Sequence, residues 1–398
     1  MRYDSENMNL STRINALHES PTMKLTARAA RMKAEGIDVV AMTAGEPDFD
    51  TPEHIKAAAI EAIRRGETKY PKPASGLPAL KSAICAALLR NQGLTYRPEQ
   101  VIVTCGAKLA IQKTLTVLIN PGDEVLIPTP YWVSYPELVK LAGGTPVLIE
   151  SDERRDFKLT PEQVRAAITP RTKAFLYCSP SNPASFTYTP EETRGLVQVL
   201  ATAGVAIISD EIYDSLTFGG VKPLSPAAVS AEAYARTITI NGASKIFAMT
   251  GWRVGFAAGP VHVIEAMIKL QSQGTSGVAP FIQLAYAEGL KDDRGEIERM
   301  RRDFERRGRH MYDRVKRLPG VTCVEPTGAY YLFPNVSGTF ARLRVRDSDE
   351  FAERLLNEAH LVVIPGSAFG SDRHIRMSFA TSMAQIDAAV DRLEAFLK

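Results

Sequence analysis

The sequence predicts an α/β protein. It has a large domain on a mostly parallel, seven-stranded-type sheet covered by helices on both faces, and a smaller α+β domain. Three observations predict this. Seven short apolar runs lie between residues 101 and 258, separated by turn residues and amphipathic stretches. Polar and chargeable residues follow the ends of several of these runs, where open parallel sheets gather ligands. Beyond about residue 290 the pattern changes to a long charged helix followed by short mixed elements. At 398 residues the chain is long for one core and suits two domains.

Taken in order, a helix over 25–35 is expected to pack with the small domain. The chain then divides into 1–50, an N-terminal segment of the small domain, 51–290, the large domain, and 291–398, the small C-terminal domain. Val101-Ile102-Val103-Thr104 is the first strand, and Gly106 leads into a helix over 108–118. Pro121-Gly122-Asp123 forms a turn before the strand 124–128, and 145–149 is the next. The strand 174–178 runs into Ser179-Pro180-Ser181-Asn182-Pro183, a helix covers 190–202, and a buried-type strand spans 205–209. Strands 237–240 and 254–258 complete the set. A continuous helical stretch over 261–289, a charged helix around Arg301, the run 330–333, a helix over 349–359 and strands 361–364 and 375–379 follow.

Composition narrows the function. Net charge is +3, with 48 Lys and Arg against 45 Asp and Glu, and the mixed run 294–309 reads as a solvated helix. Nucleic-acid binding is not suggested. No apolar run approaches the length of a membrane span, and residues 1–7 show no secretory signal. Cys85, Cys105, Cys178 and Cys323 are far apart and form no Cys-x-x-Cys pair, so no zinc site is expected. Free thiols in a reducing, cytoplasmic setting are the simplest reading.

The chemistry centres on Lys245, set among small residues in Asn241-Gly242-Ala243-Ser244-Lys245 with Arg253 eight positions on. A lysine kept partly unprotonated can condense with a carbonyl. Gly106-Ala107-Lys108 follows a strand and opens a helix, an arrangement that suits a phosphate. Asp210 ends the most apolar strand, where an unpartnered carboxylate is costly. Taken singly, Asn182 is a turn former, Asp210 a helix cap or ion-pair member, and Trp132 a core aromatic. Together they match the needs of pyridoxal 5'-phosphate: a lysine for its aldehyde, an acid for its ring nitrogen, donors to its ring oxygen, a phosphate cradle and a ring to stack on. Lys245, Asp210, Asn182 with Tyr213, Arg253 and Trp132 supply them.

The chain resembles the fold-type I, class I aminotransferases, and most nearly their bacterial aspartate aminotransferase group, from about Ser20 to the C-terminus. The resemblance rests on Thr43-Ala44-Gly45-Glu46-Pro47-Asp48-Phe49-Asp50, Lys69-Tyr70, Pro130-Tyr131-Trp132, Ser181-Asn182-Pro183, Ser209-Asp210-Glu211-Ile212-Tyr213, Ser244-Lys245, Met249-Thr250-Gly251-Trp252-Arg253 and Arg376-Met377-Ser378-Phe379-Ala380. It implies that Lys245 is the Schiff-base lysine and proton shuttle, with Asp210 and Tyr213 as its catalytic partners. Gly106, Ala107, Ser244 and Arg253 would hold the phosphate, and Tyr70 would reach the phosphate of the neighbouring subunit in an obligate homodimer. Arg376 would clamp the substrate α-carboxylate, whose shape its planar fork matches, with help from Asn182 and the Gly45 backbone. Lys108 would pair with the distal carboxylate of aspartate or glutamate, with Thr22 nearby.

Two departures stand out. The family continues Asn-Pro with Thr-Gly, where this chain has Ala184-Ser185, so the loop is expected to differ. Relatives that also use prephenate carry a lysine near the position of His18, a residue only partly charged at neutral pH. The expected activity is ping-pong transfer of an amino group from an L-amino acid, aspartate foremost, to a 2-oxo acid, 2-oxoglutarate foremost. Aromatic, alanine-like or prephenate substrates, a β-lyase on the same scaffold and a ligand-sensing regulator are the alternatives.

Overall fold

The computed structural model describes residues 9–17 and 21–398. The N-terminal helix Pro21–Ala34 leads to β1, Val40–Ala41. The large sheet is built from β2 (Val101–Thr104), β3 (Glu124–Pro128), β4 (Thr145–Ile149), β5 (Thr172–Cys178), β6 (Ala206–Asp210), β7 (Thr237–Gly242) and β8 (Gly255–Ala258). Its strand order is β2-β8-β7-β6-β5-β3-β4. Six strands run in one direction, and only β8, between β2 and β7, is antiparallel to its neighbours. The seven apolar runs are these seven strands. Apolar clusters on both sides explain why they read as nearly unbroken hydrophobic segments: Ile102, Leu176 and Ile208 pack into one, while Val101, Val103 and Phe256 pack into another.

The C-terminal part carries β9 (Tyr331–Leu332), β10 (Leu361–Val362), β11 (Ile364–Pro365) and β12 (Ile375–Ser378). Strands β11, β12 and β9 form an antiparallel sheet. β10 pairs instead with β1, Val40 opposite Leu361, so the N-terminal segment is hydrogen-bonded to the C-terminal part. Ala29 of the N-terminal helix packs with Leu356 and Val362.

Two expectations need correction. The stretch 261–289 is two helices, Val261–Gln273 and Pro280–Lys291. Between them Ser276 and Gly277 take φ of +57° and +110°, outside helical space. A Cβ on Gly277 would stand 2.7 Å from Pro71 Cγ and 2.9 Å from Ala74 O, so the close approach also requires glycine. Pro280 then starts the second helix, where its missing N–H does no harm. The single strand 361–364 is also two, β10 and β11, lying in different sheets.

Candidate active site

A cavity of about 470 Å³ opens at the carboxyl ends of the central strands. Its walls include Gly45, Ala107, Lys108, Trp132, Asn182, Asp210, Tyr213, Ser244, Lys245, Arg253 and Arg376, residues spread over 330 positions of sequence.

Lys245 lies in the short helix Ala243–Ile246 that leaves β7. It is half-buried, and its Nζ donates to Gly45 O at 2.5 Å. Burial pushes its ammonium down to about 8, helped by Arg376 and Arg253 and opposed by Glu46 and Asp210. Asp210 ends β6 and is buried. Burial raises its pKa, while Tyr135, the Ile212 N–H and Lys245 favour the charged form. Tyr135 Oη donates to Asp210 Oδ2 at 2.7 Å, and Ile212 N donates to Oδ1 at 3.3 Å.

Gly106 caps the helix Ala107–Leu118 with φ +85° and gives the helix no side-chain cap. A Cβ at Gly106 would sit 2.5 Å from Arg253 Nη2, so the turn and the guanidinium close on each other only with glycine there. Gly255 of β8 serves the same turn from behind, since its Cβ would meet Ala107 N at 2.6 Å. Arg253 is exposed at the cavity mouth with φ +54°, and its Nη1 donates to Thr250 O at 2.8 Å. Lys108 is exposed there too, its Nζ 4.8 Å from the centre of the Trp132 ring.

On the opposite wall Arg376, from β12, is 4% exposed. Nη1 donates to Asn182 Oδ1 at 3.1 Å and Nη2 to Thr43 O at 3.2 Å, while its buried Nε has no partner. Tyr331 and Phe369 flank the guanidinium at 4.4 and 5.0 Å. No carboxylate pairs with it among the described residues. A buried cation without a counter-ion is costly unless a ligand supplies one.

Residues 37–393 match the family model described as aminotransferase class I and II. The chain belongs to the class I and II aminotransferases. This aminotransferase is 49% identical over 391 residues to the aspartate aminotransferase of Geobacillus stearothermophilus, with 98% of this chain and 99% of the relative covered. It is 44% identical to an aspartate/prephenate aminotransferase of Cereibacter sphaeroides, covering 97% and 98%. The solved aspartate aminotransferase of Rhizobium meliloti superposes with a TM-score of 0.94 at 40% identity, covering 98% of this chain and 99% of that one.

The structure of this aminotransferase brings together every expected site residue except two. Tyr70 is 80% exposed and does not line the cavity of the single chain. The side chain of Thr22 lies outside the described residues, as does His18. Sequence reasoning missed several cavity groups. Tyr135 stands three residues after Trp132, just beyond the Pro130-Tyr131-Trp132 motif. Tyr331 Oη lies 3.0 Å from Tyr213 Oη, and Tyr330 Oη donates to Gly45 O at 2.9 Å. Glu46 accepts from Thr250 Oγ1 at 2.6 Å, joining the N-terminal segment to the loop after Lys245. Cys178 also lines the cavity, and burial pushes its thiol up to about 12, which keeps it neutral.

The Ala184-Ser185 departure has a structural answer. Ser185 itself takes the left-handed conformation, φ +56°, and keeps the tight turn. Such a conformation costs a non-glycine residue about 1–2 kcal/mol. Its hydroxyl accepts from Tyr331 N at 3.2 Å, and its carbonyl accepts from Thr327 N at 2.8 Å, which offset that cost.

Proposed function

We propose that this aminotransferase holds pyridoxal 5'-phosphate in the cavity and moves the amino group of aspartate to 2-oxoglutarate. The observation that carries the reading is Arg376, buried and without a carboxylate partner, sharing one cavity with a lysine whose amine is pushed down to about 8. The residues present fit the cofactor. The Gly106 cradle closed by Arg253 suits a phosphate, Asp210 suits a ring nitrogen, and the unpartnered Arg376 Nε leaves a donor for a carboxylate.

When bound, the cofactor withdraws electrons from the bonds at the substrate Cα. The remaining work falls to the chain. Gly106, Ala107, Ser244 and Arg253 would hold the phosphate, Trp132 would stack on the ring, and Tyr213 with Asn182 would donate to the ring oxygen. Arg376 binds the α-carboxylate bidentately, and Lys108 meets the distal carboxylate at the mouth. Lys245 would hold the cofactor's aldehyde end, and its amine would move the proton at Cα. With its pKa about 8, roughly a tenth of it is free amine at pH 7.

The same reading divides the chain near residues 50 and 290. It also joins two copies in a dimer, in which exposed Tyr70 reaches the partner site, and places the four free thiols in the cytoplasm. Among the described residues no helix is long and apolar enough to cross a membrane. Prephenate as a further substrate is favoured by the Cereibacter sphaeroides relative.

A substrate panel tests the reading. Aspartate added to loaded enzyme should abolish the visible band of the bound aldehyde, and 2-oxoglutarate should restore it. Release of pyruvate and ammonia without any oxo-acid acceptor would mark a β-lyase instead. Lys108→Ala should raise KM for aspartate on the order of tenfold or more and leave that for an uncharged amino acid unchanged. Equal effects on both would remove Lys108 from substrate recognition.

A further inference from the structure

We propose that Tyr135 is a positioning residue of the reaction, holding Asp210 as a carboxylate and aiming its less engaged oxygen at the cavity. The inference rests on the reading of the cavity as a pyridoxal phosphate site.

Asp210 is 5% exposed and forms no ion pair with an arginine or histidine among the described residues. Three titratable groups face it. Tyr135 comes from the helix Ser134–Leu141, Cys178 is its register partner on β5, and Lys245 follows β7. The Cys178 thiol stays neutral, and Lys245 acts on Asp210 without a hydrogen bond between them. The backbone bond from Ile212 N is long, 3.3 Å, so the Tyr135 hydroxyl at 2.7 Å is the one short donor.

The direction of that bond is settled by burial. Tyr135 is 3% exposed, and burial raises its phenol well above the usual range, with Asp210 adding to the effect. The phenol therefore keeps its proton and donates to Oδ2. Oδ1, met only by the long backbone bond, retains acceptor capacity toward the cavity.

The hydroxyl is aimed by packing. Tyr135 N donates to Trp132 O at 2.9 Å, and the two rings meet edge-on, 5.4 Å between centroids at 86°. One helix start thus carries both the stacking ring and the group that holds the acid. Without the hydroxyl, burial favours the neutral acid, which cannot hold a ring nitrogen protonated. Groups that orient a metal-ligating side chain matter by about 10–100-fold, and a loss of the same order is expected for a group that orients Asp210.

The test uses holoenzyme loaded with pyridoxal phosphate labelled with ¹⁵N at the ring nitrogen, whose NMR shift distinguishes the protonated from the free ring. Wild type should show the protonated value. Tyr135→Phe keeps the ring and should move the signal toward the free value. Its kcat should fall on the order of tenfold to a hundredfold, with KM for both substrates within about twofold. 3-Fluorotyrosine at position 135 keeps both the ring and the hydroxyl and should retain the protonated signal. An unchanged shift and kcat in Tyr135→Phe would overturn the proposal, and so would loss of the signal in both variants, since that would assign the effect to ring shape. A wild-type protein that fails to take up pyridoxal phosphate would refute the site reading itself, a separate result.

Discussion

Lys245 shows how one residue can be unfavourable for folding and necessary for chemistry. Its ammonium is pushed from the ordinary 10.5 down to about 8 by burial. The unfolded chain therefore binds more protons than the folded one between those values, and stability rises with pH across that window. Cofactor-free Lys245→Met is expected to be more stable than cofactor-free wild type at pH 7, by up to a few kcal/mol, with the gap closing above about pH 10. Urea unfolding at the two pH values checks this; a gap that does not shrink would show that the amine is not held unfavourably. Lys245 was legible in the sequence because small residues and a following arginine flank it. Tyr135 and Tyr331 were not, since an aromatic residue among apolar neighbours carries no mark of which hydroxyl it will meet. Tyr331 lies 118 positions from Tyr213, and only the fold makes them neighbours.

Among the elements, the strands are legible in the sequence and the breaks are not. The strands between 101 and 258 are apolar on both faces and bounded by turns, and this composition is visible locally. The break at 274–280 depends on Pro71 and Ala74 crowding Gly277, and the split of 361–364 depends on β10 pairing with β1. Neither partner can be inferred from the segment itself. The Gly106 turn was legible as a strand followed by a helix, but its closeness to Arg253 was not. Gly106→Ala is expected to destabilise the protein by about 1–3 kcal/mol, because φ +85° with ψ 160° is a region essentially only glycine adopts. It should also weaken pyridoxal phosphate binding on the order of tenfold or more by displacing Arg253. Gly251→Ala is the control, with nothing within 4 Å of the added carbon, and should change neither. Fluorescence titration of the cofactor and urea melts measure both effects, and equal behaviour of the two variants would count against the cradle.

For the whole molecule, Glu153 links distant parts of the chain. It follows β4 of the large sheet and receives hydrogen bonds from Thr322 Oγ1 and, at 2.5 Å, from Asn335 Nδ2, while its Oε2 lies 3.0 Å from His374 Nε2. His374 and these other partners hold its carboxyl down at about 2. A depressed pKa contributes stability above the ordinary carboxylate value, and that contribution fades as pH falls toward the folded one. Glu153→Ala is expected to lose about 2–3 kcal/mol at pH 7, with the difference from wild type narrowing between pH 4.5 and 2. A difference that widens over that range in urea unfolding would refute this account. His374 is two residues from Arg376, so the same contact steadies the strand that presents the guanidinium. The cavity itself sets four cationic side chains against two carboxylates, and the entire chain carries only +3. The rest of the chain is close to neutral in net charge, so the force on an incoming dianion is directed to the mouth of this cavity. Lys108 and Arg253 stand in solvent there, where dissolved ions screen charge within about 8–10 Å. Arg376 lies too deep for such screening. Ionic strength therefore governs how quickly an acidic substrate arrives, while the grip on its α-carboxylate is left intact.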